Sequence, residues 1–104
     1  MNRVVHKINL HPSLGERDQM YKLPVDAVRF LHVNWQVNQN AIGVWYETLD
    51  GDASTNSVRY QYFELVVVGT GQKVPEGYQY LGTAHQQTTI GPNFVWHVYG
   101  SWES

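Results

Sequence analysis

Five histidines, His6, His11, His32, His85 and His97, are the residues best suited to chemistry in a chain without cysteine. Imidazole is both a metal ligand and a general base near neutral pH. A three-histidine zinc site needs three rings converging on one ion, with water as the fourth ligand. His6, His32 and His97 are the set that could meet, if the terminal strands and a middle strand are neighbours. No two histidines stand at i, i+2, the spacing by which one strand presents a pair. A polar sheet face, or His97 donating to a backbone carbonyl, accounts for the same residues without a metal.

Other chemistries find less. The absence of cysteine excludes disulfides, thiolate nucleophiles and cysteine-based zinc sites. No Gly-x-Ser-x-Gly elbow occurs. Asp50 and Asp52 flank Gly51 as in part of a calcium loop, but position twelve of such a loop would be Gln61, not Glu. A solvated loop tip explains them as well. Gly69-Thr70-Gly71 follows a valine-rich strand and resembles a fragment of a phosphate-binding loop. No helix pattern follows it to supply a phosphate-binding N-terminus. With His97 it marks where a small ligand such as a nucleotide would sit, the alternative to a protein-binding role. No cofactor motif is present.

Composition narrows the classes further. Nine acidic residues against seven basic ones give a net charge of −2. That argues against a strong electrostatic nucleic-acid binder, which shows a basic excess. Only 15% of residues are charged, and Tyr, Trp, Asn and Gln fill the difference. Tyrosine and tryptophan are enriched at protein interfaces, since they bring area and a polar handle together. No apolar run reaches the roughly 18 residues of a membrane-spanning helix, and the N-terminus shows no signal-peptide pattern.

The elements that must position these residues read as strands throughout. Val4 to Leu10 alternates, with Val4, His6, Ile8 and Leu10 on one face. His11-Pro12-Ser13-Leu14-Gly15 ends it, and a short strand is expected around Gln19 to Lys22. Ala27 to Val37 is the longest alternating run. Leu31, Val33, Trp35 and Val37 are expected in the core, with Phe30, His32, Asn34 and Gln36 half-wet. Asn38-Gln39-Asn40 makes a tight turn, since asparagine tolerates the left-handed region, and Ala41 to Thr48 returns as a hairpin. Val58 to Val68 ends in a nearly continuous apolar run and belongs in the middle of a sheet.

Tyr78 to Gln86 is a further strand, with Tyr80 and Gly82 opposite Leu81 and Thr83. Phe94-Val95-Trp96-His97-Val98-Tyr99 closes the pattern and carries bulky groups on both faces. Tyr60, Tyr62, Tyr78 and Tyr80 stand on consecutive strands and could share a face. The expectation is all-β: one domain over 1–104, an antiparallel sandwich or small barrel of six to seven strands.

Taken in order, several stretches carry a resemblance. They are Arg3-Val4-Val5-His6-Lys7, Val67-Val68-Gly69-Thr70-Gly71 with Val74-Pro75, Tyr80-Leu81-Gly82-Thr83, and Phe94 to Tyr99. Together they resemble a family of small uncharacterised proteins of bacteriophages and prophages. This chain departs in a longer middle, with the Asp50 to Ser57 loop and the tyrosine-rich Tyr60 to Phe63 segment. The resemblance implies phage origin and expression in the bacterial cytoplasm. It supplies no activity.

The expected function is therefore a non-enzymatic, anti-CRISPR-like binding protein that inhibits a bacterial host or defence complex by direct contact. Trp45, Tyr60, Tyr62, Trp102, Asp50 and Asp52 are the expected partner-binding groups. Gly69, Thr70, Gly71 and His97 are the alternative ligand-binding set, and a His6, His32 and His97 metalloprotein is the second alternative. A homo-oligomer fits all of these, with the C-terminal strand pairing across a two-fold axis.

Overall fold

The structure is a computed structural model that describes residues 3–11, 19–24, 28–49, 60–87 and 94–102. Seven strands appear in chain order: β1 (Arg3–Leu10), β2 (Gln19–Pro24), β3 (Val28–Gln36), β4 (Ala41–Leu49), β5 (Tyr60–Gly69), β6 (Gln79–Gln86) and β7 (Phe94–Trp102). They form two antiparallel sheets, one ordered β1-β4-β3 and the other β2-β5-β7-β6. The expected all-β fold is thus an open sandwich rather than a barrel.

Alternation builds the core. Ile8 and Leu10 of β1 stand opposite Val44 and Ile42 of β4, with Val33 and Trp35 of β3 on the other side, and all six are buried. Leu23, Phe63, Leu65, Ala84 and Val98 meet them from the second sheet. Phe63 is the seam between the layers. Its ring lies 4.8 Å from that of Phe30 across the sandwich and 5.0 Å, edge-on, from that of Trp102 beside it. Gly100 makes room for it, since a Cβ there would overlap the Phe63 ring.

The β3–β4 hairpin forms where the asparagines require it. A single 3-10 turn, Val37–Gln39, leads to Asn40 at φ 50°, ψ 48°, the left-handed region that asparagine tolerates. The valine-rich β5 is central, between β2 and β7. So is the closing strand β7, between β5 and β6. Both of its edges are taken, so the C-terminal strand cannot pair across a two-fold axis.

Two alternation readings are overturned by bulges. In β3 the register shifts between Phe30 and His32. A bulge adds one residue to its strand and inverts the parity beyond it. Phe30 therefore packs inward with Val33 and Trp35, while Leu31 turns outward at 43% exposure. Val37, also expected in the core, sits in the turn and is exposed. In β6 the shift falls between Tyr80 and Gly82. Tyr80 and Thr83 consequently share the outer side, and Gly82 faces inward against Val33. A Cβ at Gly82 would lie 2.6 Å from Cβ of Val33, so only glycine lets β6 approach β3 this closely.

Candidate binding surface

The outer side of the β2-β5-β7-β6 sheet is built by the residues that alternate with the core set. β5 contributes Tyr60, Tyr62 and Glu64, opposite Pro24, Lys22 and Met20 of β2. β7 contributes Val95, His97, Tyr99 and Ser101, and β6 contributes Tyr80, Thr83 and His85. Tyr78 reaches onto this side from the β5–β6 connection and donates its hydroxyl to Glu64 Oε1. Five of the seven tyrosines therefore lie on one outer surface. The other two, Tyr21 and Tyr46, pack against the core. Burial pushes their hydroxyl pKa values up, and for Tyr21 the nearby Tyr46 adds to the effect.

Much of this surface is open. Tyr60, Tyr62 and Tyr80 are 55%, 50% and 53% exposed, and Met20 beside them is also exposed. The Tyr80 and Tyr99 rings meet edge to face at 5.5 Å, and Lys22 Nζ lies 5.8 Å from the Tyr60 ring centre. Such rings offer apolar area and neutral hydroxyls that can both donate and accept.

One hydrogen-bonded row crosses the same surface. His97 Nε2 is 3.2 Å from Thr70 Oγ1, and His97 Nδ1 is 3.1 Å from Thr83 Oγ1. Thr83 Oγ1 in turn bonds the Tyr80 hydroxyl. Both ring nitrogens of His97 thus have side-chain partners. Threonine hydroxyls serve as donor or acceptor, so either tautomer is held. The row ties the β5–β6 turn to β7 and β6. Thr70, Thr83 and His97 come from three stretches separated in sequence and meet only in the fold.

The Gly69-Thr70-Gly71 turn is closed on itself. The Gly69 N–H donates to Gln72 Oε1 at 2.7 Å, and the Gln72 N–H donates to the Gly69 carbonyl at 3.0 Å. Gly71, at φ +92°, takes the third position of a type II turn, where glycine is favoured. The alternative ligand set therefore divides. Thr70 and His97 are joined, while the Gly69 amide is consumed within the turn.

The expected partner-binding residues do not form one patch. Tyr60 and Tyr62 lie on the tyrosine surface. Trp45 lies on the opposite side of the molecule, outward on β4, with its ring laid over Gly43. Lys7 Nζ stands 5.7 Å from that ring centre and the His32 ring 5.6 Å from it. Trp102 turns inward onto Phe63 and packs against the core. Asp50 and Asp52 lie outside the described residues. Tyr80, Tyr99 and Thr83 complete the surface that Tyr60 and Tyr62 begin. The signal for Tyr99 was its alternation with His97 along β7.

The histidines are also dispersed. His6 faces inward from β1, hydrogen-bonded to Thr48 Oγ1 at 3.0 Å and stacked on Tyr46. His32 is on the outer side of one sheet and His97 on the outer side of the other. The set His6, His32 and His97 does not converge. Among the described residues no group of three or more His, Asp or Glu side chains is placed to hold a metal ion.

Comparison with known proteins adds a family. No curated protein and no solved structure matches this chain. The family model described as a domain of unknown function, DUF7352, matches residues 1–104, and the chain belongs to that family.

Proposed function

We propose that this is a small phage-encoded, non-enzymatic binding protein of the bacterial cytoplasm. In this reading it inhibits a host or defence protein complex by direct contact through the tyrosine surface. The observation that carries the reading is the gathering of Tyr60, Tyr62, Tyr78, Tyr80 and Tyr99 on one outer sheet side, three of them half-exposed. An outer side without a partner to meet usually alternates polar groups with few large rings. Lys22 is the one Lys or Arg among the described strand residues on this side, so the surface suits the peptide groups of a protein better than a phosphate backbone. The phage origin rests on the resemblance of the ordered stretches, and self-association belongs to the same reading.

The test is capture from bacterial lysate followed by calorimetry with the captured protein. Wild type and Trp45→Ala should bind one host protein with equal affinity. Tyr60→Ala combined with Tyr62→Ala should lose on the order of 100-fold or more, as paired hot-spot residues do. Equal binding by that double variant would remove the surface from the proposal.

The joined Thr70–His97–Thr83 row supports the small-ligand reading as a second possibility. Thermal-shift measurements across nucleotides decide it: stabilisation that disappears in Thr70→Val would favour it, and no stabilisation by any nucleotide would end it.

A further inference from the structure

Four strands form the edges of the two sheets: β1 and β3 in one, β2 and β6 in the other. An edge presents a row of unpaired N–H and C=O groups that can template another strand, and stable folds blunt it. Three of these edges are blunted. β3 and β6 each carry a bulge and approach one another at Val33 and Gly82. β2 is six residues long, carries Lys22 and ends on Pro24.

β1 lacks the bulge, the short length and the proline, and its cations Arg3 and Lys7 are held by Glu47 and Gln39 of its own sheet. Its eight residues pair with β4 without a register shift. It contains no proline or glycine. Its far side pairs with no strand among the described residues. Val4 and Val5 are exposed, Val5 at 58%.

The geometry points to a two-fold dimer in which β1 pairs antiparallel with β1 of a second copy. Two three-stranded sheets then become one of six strands. The inference goes beyond host binding and rests only on the self-association part of the proposed function. A second copy is the fitting occupant because an unblunted edge needs another unblunted edge, and this chain supplies one. A single isologous contact covers both.

The register follows from charge. A two-fold axis normal to the sheet keeps the outer sides together, so residues of like parity stand opposite. Two such registers span most of the strand. One sets Lys7 against its own copy, which like charge disfavours. The other places His6 on the axis and sets Val5 against Lys7, Val4 against Ile8 and Arg3 against Asn9. Val5 then lies along the apolar stem of Lys7.

The chain has no cysteine, so introduced thiols report the pairing cleanly. Val5→Cys mixed with Lys7→Cys should give a mixed disulfide several-fold above either variant alone. Sedimentation equilibrium should give twice the 12.0 kDa chain mass. Val5→Lys, which opposes Lys7, should shift the protein to monomer with an unchanged circular dichroism spectrum. Val5→Glu should remain dimeric. A wild type that stays monomeric into the millimolar range would overturn both self-association and this pairing. A dimer that survives Val5→Lys without forming the mixed disulfide would overturn the β1 pairing alone.

Discussion

The two outer sides of the sandwich are made by the same alternation, yet they differ in kind. On the β1-β4-β3 sheet the groups are partnered within the side itself. Arg3 bridges Glu47 at 3.2 Å, Lys7 donates to Gln39 Oε1 at 3.1 Å, and Trp45 has Lys7 and His32 beside its ring. On the β2-β5-β7-β6 sheet, neutral hydroxyls and rings replace ion pairs, and three tyrosines stay half-exposed. The first side is satisfied locally, its one tryptophan included. Under the proposed function, the second leaves aromatic area and hydrogen-bonding capacity for another molecule. Under that reading a tryptophan is not by itself the better marker of a binding surface; what surrounds the ring decides.

Phe63 underlies both sides, so its removal should collapse the difference between them. Phe63→Ala should cost about 3–5 kcal/mol in denaturant unfolding, close to the whole stability of many small domains. A cost below about 1 kcal/mol would mean that the two layers hold together elsewhere. Gly82→Ala forces β6 away from Val33, and overpacking of that kind typically costs about 1–3 kcal/mol. Retained stability would show that the β3–β6 approach is loose.

The comparison itself is sharpened by paired ring removals. Trp45→Ala should lower stability by about 1 kcal/mol, from its cation–π and cross-strand contacts, and leave partner binding alone. Tyr62→Ala should change stability by only about 0.5 kcal/mol, as exposed substitutions do, and weaken binding. The reverse pattern would exchange the roles assigned to the two sides.

The smallest effect is one of pH. Tyr21 and Tyr46 are raised above their ordinary value of 10.0 by burial, and Tyr21 also by Tyr46. Groups whose folded pKa is raised favour the folded state in full below about pH 10. That contribution is lost as pH rises through the raised folded value. Stability should therefore fall above about pH 10, and Tyr21→Phe with Tyr46→Phe should flatten the decline. An identical decline in the double variant would assign it to other groups.

Much of this was legible in the chain. Strict alternation put Ile8 and Leu10 of β1 on one face, and that face is the buried one. Asn40 marked the hairpin, and the nearly continuous apolar run of β5 marked it as central, whereas β7, expected free to pair across a two-fold axis, proved central as well. The legible parts follow from local rules: side chains alternate, and certain residues tolerate certain turns. Alternation cannot show an added residue, however, and the bulges at Leu31 and Leu81 inverted the faces of Phe30 and Gly82. Nor does it show which strands are neighbours. That Trp102 turns inward onto Phe63, that Thr70, Thr83 and His97 meet, and that five tyrosines share one surface were decided by strand order. Strand order is settled by burying both sheets around one core, a condition on the whole chain that no single stretch contains.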